Sequence, residues 1–292
     1  MGVIKKLKQL PGKISDEKAN KKEIKKGSSS ALSQNKILGD KTPFHIREAY
    51  KAFRTNVIFS LPQDGCKKII ITSSQASEGK SITCINLAIA FGENGAKVLL
   101  IDCDLRRPNI ARSIEKTNNV GISNMLVGLA KAEEVINRNV FENVDIIYSG
   151  EIPPNPTELL GSDRFQNFIS EMESQYDYII MDSPPVNVVA DATLLSRCTT
   201  GVIFVVRQHR TDKYSFEEAI KQLEFAGAHI IGTVLNDTVV VGKGYKYRRK
   251  KYSGIYDRYY SRYNSRYYGG YYNSYGYGYY GRGKPEKDKE KK

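Results

Sequence analysis

The 292-residue chain is predicted to fold as an α/β protein, a parallel sheet flanked by helices, carrying a basic segment at each end. Three observations predict this. Apolar runs and helix-spaced segments alternate between residues 41 and 242. Those runs are continuous rather than alternating, as expected of strands buried on both faces. The charge excess is confined to the ends: residues 1–40 carry net +6 and residues 243–292 net +11, so the segment between them is mildly acidic at −4 within a chain of net +13.

Taken in order, a helix is expected over Arg47 to Ile58, then a strand over Lys68 to Thr72 and a helix over Ser81 to Asn94. Lys97 to Asp102 (KVLLID) is a second strand, Ile122 to Val127 a helical stretch and Val144 to Tyr148 a third strand. A helix from about Ser162 to Gln175 leads into the strand Tyr178 to Asp182 (YIIMD). Gly201 to Val206 (GVIFVV), a helix over about Asp212 to Ala226 and the strand Ile230 to Leu235 complete the set. In such a sheet functional groups gather at the carboxyl ends of the strands. The expected organisation is a basic flexible segment over 1–40, the α/β domain over 41–242 and a disordered basic tail over 243–292.

Composition narrows the class. No run approaches the ~18 apolar residues of a membrane-spanning helix, and the lysines at 5, 6 and 8 are not followed by an apolar leader core, so neither secretion nor self-insertion is expected. Four cysteines without a Cys-x-x-Cys pair, and only three His, point to a reducing compartment without a thiolate metal site. Of 20 tyrosines, 15 fall between Tyr245 and Tyr280, interleaved with Gly, Ser, Asn and Arg. Such a tail either associates through aromatic and cation–π contacts, or stacks on single strands of nucleic acid, or displays phenol hydroxyls to a phosphoryl donor elsewhere in the chain. Because the basic charge belongs to the tails rather than the folded part, no nucleic-acid partner is expected.

The donor site is legible at the first strand's end. Ser74-Gln75-Ala76-Ser77-Glu78-Gly79-Lys80-Ser81 has the phosphate-loop pattern with Ser in place of the leading Gly, between a strand and a helix. Backbone N–H groups and the helix N-terminus cradle phosphate oxygens, Lys80 reaches the terminal phosphates and the Ser81 hydroxyl ligates Mg²⁺. The fold expected is therefore a P-loop NTPase-like sheet, with ATP and Mg²⁺ as its small molecules. Two further strands end in acids, Asp102-Cys103-Asp104-Leu105-Arg106 and Asp182-Ser183-Pro184-Pro185. An acid at the end of a buried strand is costly unless hydrated, hydrogen-bonded or near a cation, and three together suit a magnesium site.

These residues resemble a known family. Ser74 to Ser81 looks like its Walker A motif, Val98 to Arg106 (VLLIDCDLR) like Walker A′ and Ile179 to Pro184 (IIMDSP) like Walker B. The set, with the tyrosine tail, is similar to the bacterial tyrosine kinases of capsule and exopolysaccharide assembly, in the Gram-positive form whose catalytic and membrane-spanning parts are separate chains. That resemblance implies Lys80, Asp102, Asp104 and Asp182 as catalytic residues, the last two with Ser81 around the metal, while Asp102 and Asp104 are not separable in role from sequence. It implies nucleotide contacts from Ser74, Glu78, Gly79, Lys80, Ser81 and Ile82, with Asn236 near adenine and Arg106 and Arg107 near the phosphate or a neighbouring subunit.

It further implies autophosphorylation in trans on Tyr259, Tyr260, Tyr263, Tyr267, Tyr268, Tyr271, Tyr272, Tyr275, Tyr277, Tyr279 and Tyr280. The implied partners are a membrane-anchored polysaccharide co-polymerase that recruits the chain to the inner face of the membrane and activates it, a protein-tyrosine phosphatase, and further copies of the chain in a ring. Glu48, Lys51 and Arg54 match the family's Glu-x-x-Arg-x-x-Arg contact motif, with Lys51 where the middle Arg stands. Lysine lacks the planar fork for a bidentate contact. The eukaryotic-type kinase signatures, H-R-D and D-F-G, are missing. A positioning ATPase of the same phosphate-loop group is the competing reading; its signature is a second Lys at the loop's start, where this chain has Ser73, Ser74 and Gln75.

Overall fold

The computed structural model describes residues 36–238. Within them lie α1 (Phe44–Ser60), β1 (Lys67–Ser73), α2 (Lys80–Gly92), β2 (Val98–Asp102), α3 (Ile110–Ser113), α4 (Ile122–Val127), α5 (Ala132–Val135), β3 (Asn137–Phe141) and β4 (Val144–Ile147). Then follow α6 (Pro156–Leu160), α7 (Asp163–Met172), β5 (Tyr178–Asp182), α8 (Asp191–Leu195), a 3₁₀ turn (Ser196–Cys198), β6 (Gly201–Arg207), α9 (Lys213–Phe225) and β7 (Ile230–Asn236). The strands form one sheet in the order β3-β4-β2-β5-β1-β6-β7.

Strand periodicity divides the core. Ile70, Leu99, Ile101, Ile179, Met181 and Phe204 face one layer, with Phe165, Phe168 and Ile169 of α7 and Leu223 of α9. Their neighbours Ile69, Ile71, Val98, Leu100, Ile180 and Val205 face the other, under Val57 of α1 and Cys84, Ile85, Leu87 and Phe91 of α2. Because helices cover both faces, every second residue of a strand is as apolar as the one before it, which is why these runs read as continuous in the sequence.

The expected parallel sheet needs one correction. β3 runs antiparallel to β4 at the edge, and its sequence, Asn-Arg-Asn-Val-Phe, gave no signal because its first three residues are exposed. All other pairings are parallel. The short helices α3, α5, α6 and α8 also lay below the reach of periodicity, at four or five residues each.

Side-chain caps start α7 and α9. Ser162 Oγ accepts from Phe165 N at 3.3 Å and Asp212 Oδ1 from Ser215 N at 2.9 Å. Near the chain's start, buried Asn86 on α2 accepts from Leu38 N and donates to Lys36 O, both at 2.8 Å, seating residues 36–38 on that helix. No helix among the described residues is long and apolar enough to cross a membrane. The tail tyrosines Tyr259 to Tyr280 and the basic segment before residue 36 lie outside the described residues.

Candidate active site

Chain geometry builds the phosphate loop at the carboxyl end of β1. Gly79, the residue before α2, has φ +100°, and a Cβ there would lie 1.9 Å from Asn236 Nδ2, so only glycine fits. From Gly79 the chain turns into α2, where Thr83 N and Thr83 Oγ1 both donate to Gly79 O, at 3.0 and 2.9 Å. Lys80, the first residue of α2, is buried, while Ser81 and Ile82 behind it are half-buried.

Glu78 is fully buried in the loop. Its carboxylate accepts from Ser74 Oγ at 3.1 and 3.2 Å, from Gln75 N at 2.9 Å, and from the Thr211 hydroxyl in the β6–α9 connector. Asn236 on β7 donates through Nδ2 to Glu78 O at 2.9 Å. The residue expected near adenine thus also braces the loop. Arg207 Nη1 donates to Ser77 O at 2.9 Å, and Gln75 Nε2 to Ser215 Oγ at 2.9 Å.

The strand-end acids converge beside this loop. Asp102 and Asp182 are register partners on β2 and β5. Asp102 is saturated by backbone: Asp104 N donates to Oδ1 at 3.2 Å, and Asn109 N and Ile110 N to Oδ2 at 3.1 and 3.0 Å. Asp104 Oδ1 accepts from Arg107 N at 3.0 Å. Both Asp182 oxygens are buried and accept no hydrogen bond of good geometry, although the Ser81 hydroxyl and Cys84 thiol adjoin them.

Burial dominates the electrostatics. It pushes the Asp182 carboxyl up to about 6, against the opposing charge of Lys80 and the Ser81 hydroxyl. Burial and the facing Asp182 charge hold Asp102 well above the usual carboxylate range, with the N–H groups of Ile110 and Asn109 opposing. Burial raises Asp104 as well, with Arg107 N and Lys80 resisting. Three acids whose ionisation is disfavoured, with one buried lysine among them, form a site that a divalent cation would relieve. Bare buried oxygens on Asp182 fit such an ion. No group of three His, Cys, Asp or Glu side chains among the described residues forms an all-protein cage. Mg²⁺ suits this arrangement, since it binds through one or two carboxylates and takes its remaining ligands from phosphate and water.

Some expected residues are engaged elsewhere. Arg106 Nε donates to fully buried Asp191 of α8 at 3.0 Å, and its Nη2 to Thr157 Oγ1 of α6 at 2.8 Å, so it clamps the segment after β2 to α6 and α8. Glu48 and Lys51 pair on α1 at 2.9 Å. Arg54 turns inward, its Nη1 donating to Ala90 O of α2 at 2.6 Å. Asp191, Thr157 and Thr211 were not anticipated. None sits in a motif, and the pairs Thr157–Asp191, Arg106–Asp191 and Thr211–Glu78 are 34, 85 and 133 residues apart in sequence.

Comparison with known proteins shows the family and the fold. The family model described as an AAA domain matches residues 66–225. Tyrosine-protein kinase YwqD of Bacillus subtilis (strain 168) is 33% identical over 213 residues, spanning 73% of this chain and 90% of that protein. Tyrosine-protein kinase CpsD of Streptococcus agalactiae serotype III (strain NEM316) is 35% identical over 190 residues, 65% of this chain and 81% of the relative. Among solved structures, the chimerical protein CapA2B2 superposes with a TM-score of 0.64 at 35% identity, covering 68% of this chain and 86% of its own.

Proposed function

The chain belongs to the bacterial tyrosine-protein kinases, and from that membership we propose that it transfers the terminal phosphoryl group of ATP to tyrosine hydroxyls at the site formed by the phosphate loop and the ends of β2 and β5. The observation that carries this reading is Asp182, with two bare, buried carboxylate oxygens beside Lys80 and Ser81.

Phosphoryl transfer needs positioning and charge neutralisation more than covalent chemistry. Loop N–H groups and the α2 N-terminus hold the phosphates, and Lys80 neutralises the terminal ones. Ser81, Asp104 and Asp182 would hold Mg²⁺, which neutralises phosphate charge when bound. Asp102, saturated by backbone, shapes the turn that presents Asp104. Asp104 keeps an oxygen clear of the Arg107 N–H to align the acceptor phenol and take its proton late, enough for a phenol of ordinary pKa near 10. Asn236 and Ile82 flank the nucleotide side.

The tyrosines supplied are those of the chain's own tail, Tyr259 to Tyr280, phosphorylated in trans. Residues 1–40, 41–242 and 243–292 serve as basic segment, kinase domain and substrate tail. A membrane-anchored polysaccharide co-polymerase recruits and activates the domain, copies assemble with it in a ring, and capsule or exopolysaccharide polymerisation and export follow the cycle. Each phosphate adds about −1.5 to −2 charges, so roughly six cancel the tail's net +11 and loosen the assembly until a phosphatase resets it.

The experiment mixes a Lys80→Met chain with an intact-site chain lacking residues 243–292 and follows tail modification and assembly mass. Modification of the inactive chain with a fall in mass is expected. An unmodified tail contradicts transfer in trans, and modification without a fall in mass contradicts the charge switch.

A further inference from the structure

A buried carboxylate inside a loop that binds phosphate is electrostatically opposed to its ligand, and Glu78 is such a group, fully buried. Its hydrogen-bond donors among the described residues are Ser74, Gln75 and Thr211. Two of them belong to the loop itself. Thr211 comes from outside it, 133 residues further along the chain.

The Thr211 hydroxyl has one proton and gives it to Glu78. Its oxygen accepts from Arg207 N at 2.9 Å, so the same group closes the β6–α9 turn. That turn leads into a wider network. Ser215 Oγ accepts from Gln75 Nε2 at 2.9 Å, Ser215 O accepts from Asn187 Nδ2 at 2.7 Å, and Asn187 Oδ1 accepts from Gln222 Nε2 at 3.3 Å. Asn187 lies five residues beyond Asp182, in the segment that leaves the β5 carboxylate. The phosphate loop and the segment after Asp182 therefore meet on the first turn of α9, at Ser215.

We propose that Thr211 is a positioning residue for nucleotide: acting through Glu78, it supplies the outside donor that disperses the carboxylate's charge and holds the loop N–H groups in their phosphate-binding arrangement. The proposal rests on the nucleotide-binding reading of this loop. A valine of the same shape loses both hydrogen bonds, whereas a serine keeps them. One hydrogen bond to a charged group is worth about tenfold or more in an equilibrium constant.

The test measures Mg·ADP affinity, the KM for ATP and kcat for wild type, Thr211→Val, Thr211→Ser, Glu78→Gln and the Glu78→Gln/Thr211→Val double variant, with melting temperature recorded for each. Thr211→Val should weaken ADP binding and raise KM about tenfold while kcat stays within about threefold, and Thr211→Ser should restore both parameters. In the Glu78→Gln background, with no charge left to disperse, Thr211→Val should cost less than about twofold. Thr211→Val with wild-type affinity, whether or not its melting temperature falls, overturns the proposal. An equal loss in both backgrounds also overturns it, since Thr211 then does not act through Glu78. Wild-type protein that binds no nucleotide overturns the proposed function along with it.

Discussion

Asp102 and Asp182 stand opposite one another on adjacent parallel strands, yet one carboxylate accepts three backbone N–H groups and the other accepts none of good geometry. Strand register places both at the sheet's carboxyl end, and the turn after β2 then separates their roles. Asp102 organises that turn. Asp182 is left facing Lys80 with capacity for a cation.

The same saturation by backbone separates Asp102 from Asp104, which accepts from Arg107 N through one oxygen. Asp102→Ala should strip three backbone donors of their acceptor and lower stability by about 2–3 kcal/mol, with activity lost through the turn. Asp104→Asn should melt near wild type but lose at least about a hundredfold in kcat, the usual scale for a group that assists proton transfer. Paired melting curves and steady-state kinetics distinguish the two. A stable, inactive Asp102→Ala with an active Asp104→Asn would reverse the assignment.

Asp182 carries a pH signature. Its folded pKa of about 6 lies above the ordinary carboxylate value, so between about pH 4 and 6 the native protein retains a proton that the unfolded chain has released. Asp182's contribution to the stability of the ligand-free protein should therefore fall as pH rises through that window. Asp182→Asn should flatten the slope. Binding of Mg²⁺ with nucleotide needs the ionised form, so affinity should strengthen as pH rises through about 6. Melting temperature against pH, with and without Mg·ADP, reads both effects, and identical slopes in the two proteins would refute the assignment.

Arg106 gives a prediction about architecture. Removing it by Arg106→Ala takes the cation from the buried Asp191 carboxylate and leaves it the Thr157 hydroxyl, a change expected to cost about 2 kcal/mol, since the Arg106 side is partly solvated. Chemical denaturation measures the loss. A variant of wild-type stability that is merely inactive would return Arg106 to the phosphate or subunit role read from its motif.

The α1 motif divides similarly. Arg54 spans from α1 to the Ala90 carbonyl on α2, while among the described residues the Lys51 side chain pairs only with Glu48 on its own helix. Arg54→Ala should lower the melting temperature of the monomer, by about 1 kcal/mol in stability. Lys51→Ala should leave it unchanged, since exposed helix pairs contribute only tenths of a kcal/mol. Equal effects on monomer stability would contradict this division.

How far the sequence foretold these arrangements depended on the range of the signal. β5 was legible to the residue because YIIMD is a continuous apolar run buried on both faces and ending in an acid. The order of the loop and the three acids followed from strands that share one polarity. β3 was not legible, because an exposed edge strand needs no apolar pattern. The Arg106–Asp191 clamp and the Thr211–Glu78 bond depend on residues 85 and 133 positions apart, and local periodicity carries no record of such pairs. Asp102 and Asp104 looked alike in sequence because their difference lies in which backbone N–H groups the following turn points back at them.

The kinase reading requires that Lys80 and the strand-end acids form the site that phosphorylates tyrosine. Its most direct test incubates the purified full chain with γ-labelled ATP and Mg²⁺, beside the Lys80→Met variant, and maps the labelled residues. Label is expected on tyrosines between Tyr259 and Tyr280 in the wild type, strengthened by the cytoplasmic segment of the membrane partner, and none in a folded Lys80→Met chain. Release of phosphate without labelled tyrosine, or equal labelling in both proteins, would contradict it.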